Sequence, residues 1–513
     1  MFLFRKNLVN KSILIIGIFG TLIQLRAGTS PSAAAASPLG REIQVSDTLW
    51  LGLQDAVFMG LKNNPTVTIQ KLAPEIANTY AREERAPFDP VISATAQQSD
   101  IHSERRLGAQ RTPFNLEDKQ FDVGAQITQA LPTGTLISVG MGMGGSVSNL
   151  YTDQYSSDVG VTITQSLLSG FGFGANLASL RKARLDVDIS KLELKAVAEK
   201  LDADIEKGYW ELYLTGRETE IQKQSLQLAQ QQLSESLERV AVGKLPRLEL
   251  AAVEAEVAAR RGSLIDAQSR HEQSRLHLLY LLNPKKEEFW STFTLPQDQP
   301  FVPADTLDSI AVHEAVGMKF RPDLKQARLA LRKGELELAR TRNGLLPQLD
   351  LFITLGRTTY SESFRNSFPD LSSPFYQVTG GLTFVFPVPN RQASAQLART
   401  RYSLEQQQLA VKNMEKLVQW DIRSAYVEVI RSRQQIEATR VTRELQEKKL
   451  AAEQEKFRVG KSTNFLVLQA QRDLTASRLD EANAMVAYLN ALVDLYVSEG
   501  TLLERRGVRT FSD

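Results

Sequence analysis

The chain has no cysteine, which excludes disulfides, thiol catalysis, cysteine-ligated metals and a lipid-modified N-terminal cysteine. It has four histidines scattered over 513 residues, too few and too dispersed to suggest a metal centre. It has no surplus of either charge. Its 61 basic side chains face 59 acidic ones, whereas a nucleic-acid partner normally needs a basic excess. Past residue 25 it has no apolar run long enough to cross a bilayer as a helix, which takes about 20 residues.

The one apolar run that is present lies at the start. Arg5, Lys6 and Lys11 precede SILIIGIFGTLIQL (12–25), and a small-residue stretch, AGTSPSAAAAS, follows. This is the pattern of a secretory signal peptide over residues 1–36, with cleavage between Ala27 and Ser37. The mature chain is therefore expected to be exported without a helical membrane span.

An internal repeat organises the rest. Tyr209 and Tyr426 are 217 apart, as are Ile205 and Ile422, Arg184 and Arg401, and Gly243 and Gly460. The same offset pairs Leu180, Val187, Leu194 and Leu201 with Leu397, Leu404, Val411 and Val418, a seven-residue apolar spacing in both copies. Upstream the offset is 257: Gly60 pairs with Gly317, Pro65 with Pro322, and Pro90 with Pro347. Copy one thus carries 257 − 217 = 40 extra residues between Pro90 and Leu180.

Each copy opens with a short amphipathic helix (55–65 or 309–322), then a helix ending near Pro90 or Pro347, with prolines marking boundaries because they cannot continue a helix interior. A β-rich stretch follows, then a long helical run, a glycine turn and a second helical run. The proline-free run from Ser179 to Val242 would extend roughly 95 Å. Its seven-residue spacing predicts a coiled coil, with a polar remaining surface such as QKQSLQLAQQQLSES facing water.

The β stretches alternate. In 121–131, Phe121, Val123, Ala125 and Ile127 oppose Asp122, Gly124, Gln126 and Thr128; segments 91–99, 135–143, 158–167, 349–356 and 376–386 follow suit. Alternation over about ten residues fits a membrane β-barrel strand, apolar to lipid and polar to lumen, although a half-buried strand of a soluble sheet alternates identically. So few strands cannot close a barrel, and a membrane tolerates no open sheet edge, so identical subunits around an axis must complete it.

These features resemble the outer-membrane efflux protein family, the TolC-like ducts, over almost the whole mature chain. The marks are the duplicated NNP and FRP helix starts, TQSLLSGFG (164–172) leading into the long helix, and the paired turns Val242-Gly243-Lys244 and Val459-Gly460-Lys461. The resemblance implies an α+β membrane protein, a homotrimer whose β-barrel continues into a long α-helical coiled-coil barrel in the periplasm. It implies a passive duct in the bacterial outer membrane, lipid around the barrel, and docking to a periplasmic adaptor and an inner-membrane transporter for efflux of small toxic compounds or export of proteins. The two turns become the adaptor-docking tips; the plain alternative is an ordinary helix-ending turn with glycine at positive φ. The family's gate uses acids after the turn. Glu249 stands there in copy one, but Leu466 and Gln469 occupy copy two, so an acidic ring there could come only from Glu249.

The expected layout is a signal peptide (1–36), a first repeat (37–285; strands 91–168, helical hairpin 175–283), a linker or equatorial segment (286–308), a second repeat (309–500; strands 348–387, hairpin 392–498) and a tail (501–513). The family places two strands per copy across the membrane. Here copy one offers four, and if all cross, a trimer has eighteen strands rather than twelve; longer strands with a long outer loop are the alternative.

No catalytic constellation, cofactor or metal site is expected. GKST (460–463) lacks the earlier glycine of a phosphate loop, Glu455 standing there. GMGMGG (140–145) follows a strand but opens no helix. His271-Glu272 and His313-Glu314 lack a second histidine at zinc-protease spacing. A general porin would not need the helical hairpins, and a periplasmic coiled-coil adaptor would not need the strands.

Overall fold

A computed structural model describes residues 48–106, 113–149, 152–284, 293–302, 307–363 and 376–508. The expected signal peptide, Arg111, and residues 286–292 and 303–306 of the expected linker lie outside them.

Each half opens with a helix pair broken at an Asn or Arg before proline. In copy one, α1 (Leu53–Asn63) leads into α2 (Pro65–Glu83), and the Asn64 side chain accepts from the Thr66 amide at 2.9 Å, capping α2 while Pro65 supplies the preset first-turn φ. Strand β1 (Thr48–Leu51) precedes α1. Pro74 sits inside α2, which continues through it to Glu83. In copy two, α6 (Ile310–Phe320) leads into α7 (Pro322–Gly344), again with proline in the first turn.

Between α2 and the long helices of copy one lie β2 (Val91–Arg106), β3 (Pro113–Ala130), β4 (Thr135–Ser148) and β5 (Gln154–Ser166). Copy two supplies β7 (Gln348–Ser361) and β8 (Gln377–Val385). These form one six-stranded sheet in the order β2-β3-β4-β5-β7-β8, every neighbour antiparallel. A separate parallel pair joins β1 to β6 (Phe293–Pro296). The strands β2 and β3 run well past the alternating segments 91–99 and 121–131. Their outer halves pair Asp100 with Lys119 and His102 with Glu117, so charge replaces the apolar pattern there.

The helices are long. After the single turn α3 (Phe173–Asn176) comes α4 (Ala178–Ala241), 64 residues and so about 96 Å. It turns back into α5 (Leu250–Leu282). In copy two, α8 (Arg391–Arg458) turns into α9 (Asn464–Glu499), and the short α10 (Leu502–Arg505) follows. The seven-residue seam is where the helices pack: Leu180, Leu194 and Leu201 are buried in copy one, Leu397 and Val418 in copy two. One core joins Leu51, Val57, Ile205, Tyr209, Leu212 and Leu278; its counterpart joins Leu324, Val418, Ile422, Val429 and Leu495. The Tyr209 hydroxyl donates to Leu51 O at 2.9 Å, tying the β1 segment to the first core. Side-chain ion pairs link Arg443 to Glu481 at 2.6 Å and Lys449 to Asp473 at 2.7 Å within the α8–α9 hairpin, and Lys207 of α4 to Asp494 of α9 at 2.5 Å between the two hairpins.

Candidate functional site

Both sequence-selected turns are helix ends of one kind. In α4, the Gly243 amide donates to Val240 O (3.0 Å) and the Lys244 amide to Arg239 O (2.8 Å). In α8, Gly460 donates to Phe457 O (3.1 Å) and Lys461 to Lys456 O (2.7 Å). This paired 5→2 and 6→1 bonding is the Schellman motif, which needs a left-handed residue; Gly243 and Gly460 have φ of +71° and +76°. The Gly460 and Lys461 amides are spent on the helix carbonyls, so GKST cannot cradle a phosphate.

The two tips stand side by side. The Arg239 guanidinium lies 4.2 Å from the centre of the Phe457 ring and donates to Phe457 O at 3.1 Å. One turn further in, Gln232 donates to Asn464 Oδ1 (2.6 Å) and Asn464 to Ser236 Oγ (3.1 Å), all buried between the copies. Beyond this clamp the turns face solvent. Val242 and Val459 are 67% and 63% exposed, Leu248 is 88% exposed, Phe465 is exposed, and Lys244 and Lys461 are exposed beside them. Nothing lies within 4 Å of a Cβ built on Gly243 or Gly460.

The turns then diverge. After Lys244 the chain passes Pro246 and a one-turn 3-10 helix (Arg247–Glu249) before α5; after Lys461 only Ser462 and Thr463 precede α9. Glu249 is exposed on that single turn, with no ion pair among the described residues, while Leu466 and Gln469 are exposed in the first turns of α9. The three candidate gate residues are solvent-facing and follow their tips, but no hydrogen bond or ion pair joins Glu249 to Gln469 among the described residues.

One cluster was not anticipated. Glu199, Asp202 and Glu206 lie on one face of α4, each buried, under the C-terminal segment. Arg506 donates to both Glu206 oxygens at 2.5 and 2.6 Å, and Lys195 lies 3.6 Å from Glu199 and 2.5 Å from Glu504. Asp202 is 0% exposed, and neither of its carboxylate oxygens has a hydrogen-bond partner among the described residues. Burial pushes the Glu199 carboxyl up to about 7 against the pull of Lys195. Burial, reinforced by Glu206, raises Asp202 to about 7 despite Arg506. The repeat itself held the signal: the positions 217 further on are Lys416, Gln419 and Arg423, two acids replaced by bases and the third by an amide.

The remaining sequence motifs are structural. Gly140 to Gly145 lie within β4. His271 Nδ1 meets Thr215 Oγ1 at 3.2 Å, and His313 pairs with buried Glu499. No group of three or more metal-ligating residues forms among the described residues.

An antiparallel sheet with an apolar face, set on two helical hairpins that turn at matched tips, defines an outer-membrane efflux channel subunit. The chain belongs to the outer membrane efflux protein family, whose pattern it matches over residues 59–283 and 319–501. It is similar to the pyoverdine export outer membrane protein OpmQ of Pseudomonas putida, 27% identical over 356 residues, which cover 64% of this chain and 68% of that one. Among solved structures, the Campylobacter jejuni CmeC outer membrane channel matches with a TM-score of 0.64 at 15% identity, over 87% of this chain and 85% of that one. The open state of the Neisseria gonorrhoeae MtrE channel matches at 0.60 and 18%, over 87% and 88%. These structures share the fold.

Proposed function

We propose that three copies of this chain form a passive duct, a β-barrel in the outer membrane continued by a periplasmic helical tunnel. The duct receives small toxic compounds or proteins from an inner-membrane transporter through an adaptor seated on the tips Val242-Gly243-Lys244 and Val459-Gly460-Lys461. Glu249, Leu466 and Gln469, just inside those tips, would line the periplasmic mouth. Residues 1–36 would direct export.

The observation that carries the trimer is an apolar line left exposed by the described residues of one copy. At 100° per residue, Tyr402, Leu409, Trp420, Val427 and Leu445 fall within about 20° of one line along α8, and all are exposed. On α2, Ile69, Leu72, Ile76 and Tyr80 form a second exposed stripe at spacings of three and four. Stripes of this length on a water-facing helix mark contact surfaces. A ring of copies buries both.

The test is deletion of the gene followed by a sensitivity panel of drugs, bile salts, dyes and metals with a parallel secretome comparison, each restored by plasmid expression. Greater sensitivity or loss of a secreted protein, reversed by the wild-type chain, supports the reading. An unchanged panel and secretome contradict it.

A further inference from the structure

Four of the six sheet strands are continued by helices. β2 follows α2, β5 leads to α3 and α4, β7 follows α7, and β8 leads into α8. β3 and β4 have no helix of their own; they join at the turn Leu131–Gly134. This hairpin could be a wall element, a plug or an appendage, and three features identify it as wall.

The first is register. Ile92, Ile127, Val139, Val161, Leu355 and Val378 are successive direct partners across all six strands, an unbroken apolar row. One residue along, on the opposite face, Thr128, Ser138, Thr162, Thr354 and Thr379 form a hydroxyl row from β3 to β8. The hairpin carries the same two-faced pattern as its neighbours, in phase with them. The second is exposure: Val123 and Met141 on the hairpin are 51% and 55% exposed, like Leu355 at 52%, as for a face that meets lipid. The third is anchoring. The Gly172 amide donates to Thr133 O and the Ser166 amide to Gly134 O, both at 3.0 Å. The Asn176 side chain donates to Pro132 O (3.2 Å) and Gly170 O (2.7 Å), and Asn343 of copy two accepts from the Gly170 amide at 2.7 Å. The turn is thus seated on the strand–helix junction of both copies. Gly134 has φ of +87°, and a Cβ there would run into Gly170 O.

We propose that all six strands cross the outer membrane, and that β8 of one copy pairs with β2 of the next to close an eighteen-stranded barrel. The proposal rests on the trimeric duct above. The edges fit. β2 leaves the periplasmic end and β8 returns to it, so the joint is antiparallel like every other in the sheet. The apolar row reaches both edges, at Ile92 and Val378, and hydrocarbon forbids leaving either edge unpaired. Barrel diameter grows roughly linearly with strand number, so the lumen is about one and a half times as wide as twelve helix-continued strands would give. The barrel then is not the constriction, and selection of cargo falls to the helical tunnel.

The cysteine-free sequence makes the test clean. Single variants Q126C and S138C (inner face) and I127C and V139C (outer face) are exposed to a charged, membrane-impermeant maleimide in outer-membrane vesicles, and trimer is read on unheated gels. Separately, A94C is combined with V378C, G380C or L382C, and with V159C. The proposal expects labelling at 126 and 138 only, and a covalent trimer from at least one β2–β8 pairing. Labelling of all four sites, or an intrachain A94C–V159C bond that places β2 beside β5, in a protein that still runs as a trimer, overturns the eighteen-stranded wall alone. Alternating labels in a protein that runs as a monomer overturn the trimeric reading and this closure with it.

Discussion

Gly60 lies so close to Ile205 that a Cβ on the glycine would overlap the isoleucine Cδ1, and Gly317 stands in the same relation to Ile422. The glycines are 257 apart and the isoleucines 217, so one contact joins both offsets of the duplication. Each pins the short opening helix of its copy to the long helix behind it.

Gly60→Ala should therefore destabilise the folded chain by about 1–3 kcal/mol through overpacking, even though alanine favours the helix. Ile205→Val removes the overlapping methyl, so the double variant should recover most of the loss. Thermal unfolding in detergent checks the cycle; additive losses would mean that the contact is not what the glycine serves.

The buried acids should make stability fall with pH. The folded Asp202 carboxyl holds its proton up to about 7, whereas the unfolded one loses it near 3.9. The folded state therefore binds the extra proton between those values, and its advantage is complete below about pH 4 and is lost as pH rises through about 7. Asp202 alone would contribute on the order of 4 kcal/mol across that window. Asp202→Asn should flatten the melting temperature between pH 5 and 8 relative to wild type. Parallel pH curves for the two proteins would refute the assignment.

At the tips, Gly243→Trp and Gly460→Trp meet open space but a left-handed backbone. The strain is about 1–2 kcal/mol, too little to prevent assembly. These variants should trimerise yet lose export, while Gly243→Asn, which tolerates positive φ, should retain it. Normal export in both tryptophan variants would remove the tips from the docking surface.

On the α8 line, Trp420→Glu puts a charge where the account places a neighbouring copy. It should shift protein from trimer to monomer on unheated gels while the helical circular dichroism of the monomer is unchanged. Full trimer yield would move the interface elsewhere.

The duplication was readable because matched residues keep fixed offsets, and the helical seam was readable because Leu194, Leu201 and Val418 recur at seven. The inner halves of the strands showed through their alternation. Their outer halves did not, because beyond Ser99 and before Phe121 the strands pair Asp100 with Lys119 in place of apolar residues. Both tips were legible, since Schellman ends demand glycine. The acid cluster left a trace in the repeat, at Lys416, Gln419 and Arg423, but its partner did not: Arg506 meets Glu206 across 300 residues, outside either repeat offset.

The most direct measurement is single-particle imaging of the detergent-purified protein, viewed down its symmetry axis. The account predicts three copies around one axis, with α8 of each copy against the next, a helical tunnel below, and six strands per copy in the barrel wall. A monomer, or an assembly in which the α8 line faces solvent and encloses no tunnel, would contradict it.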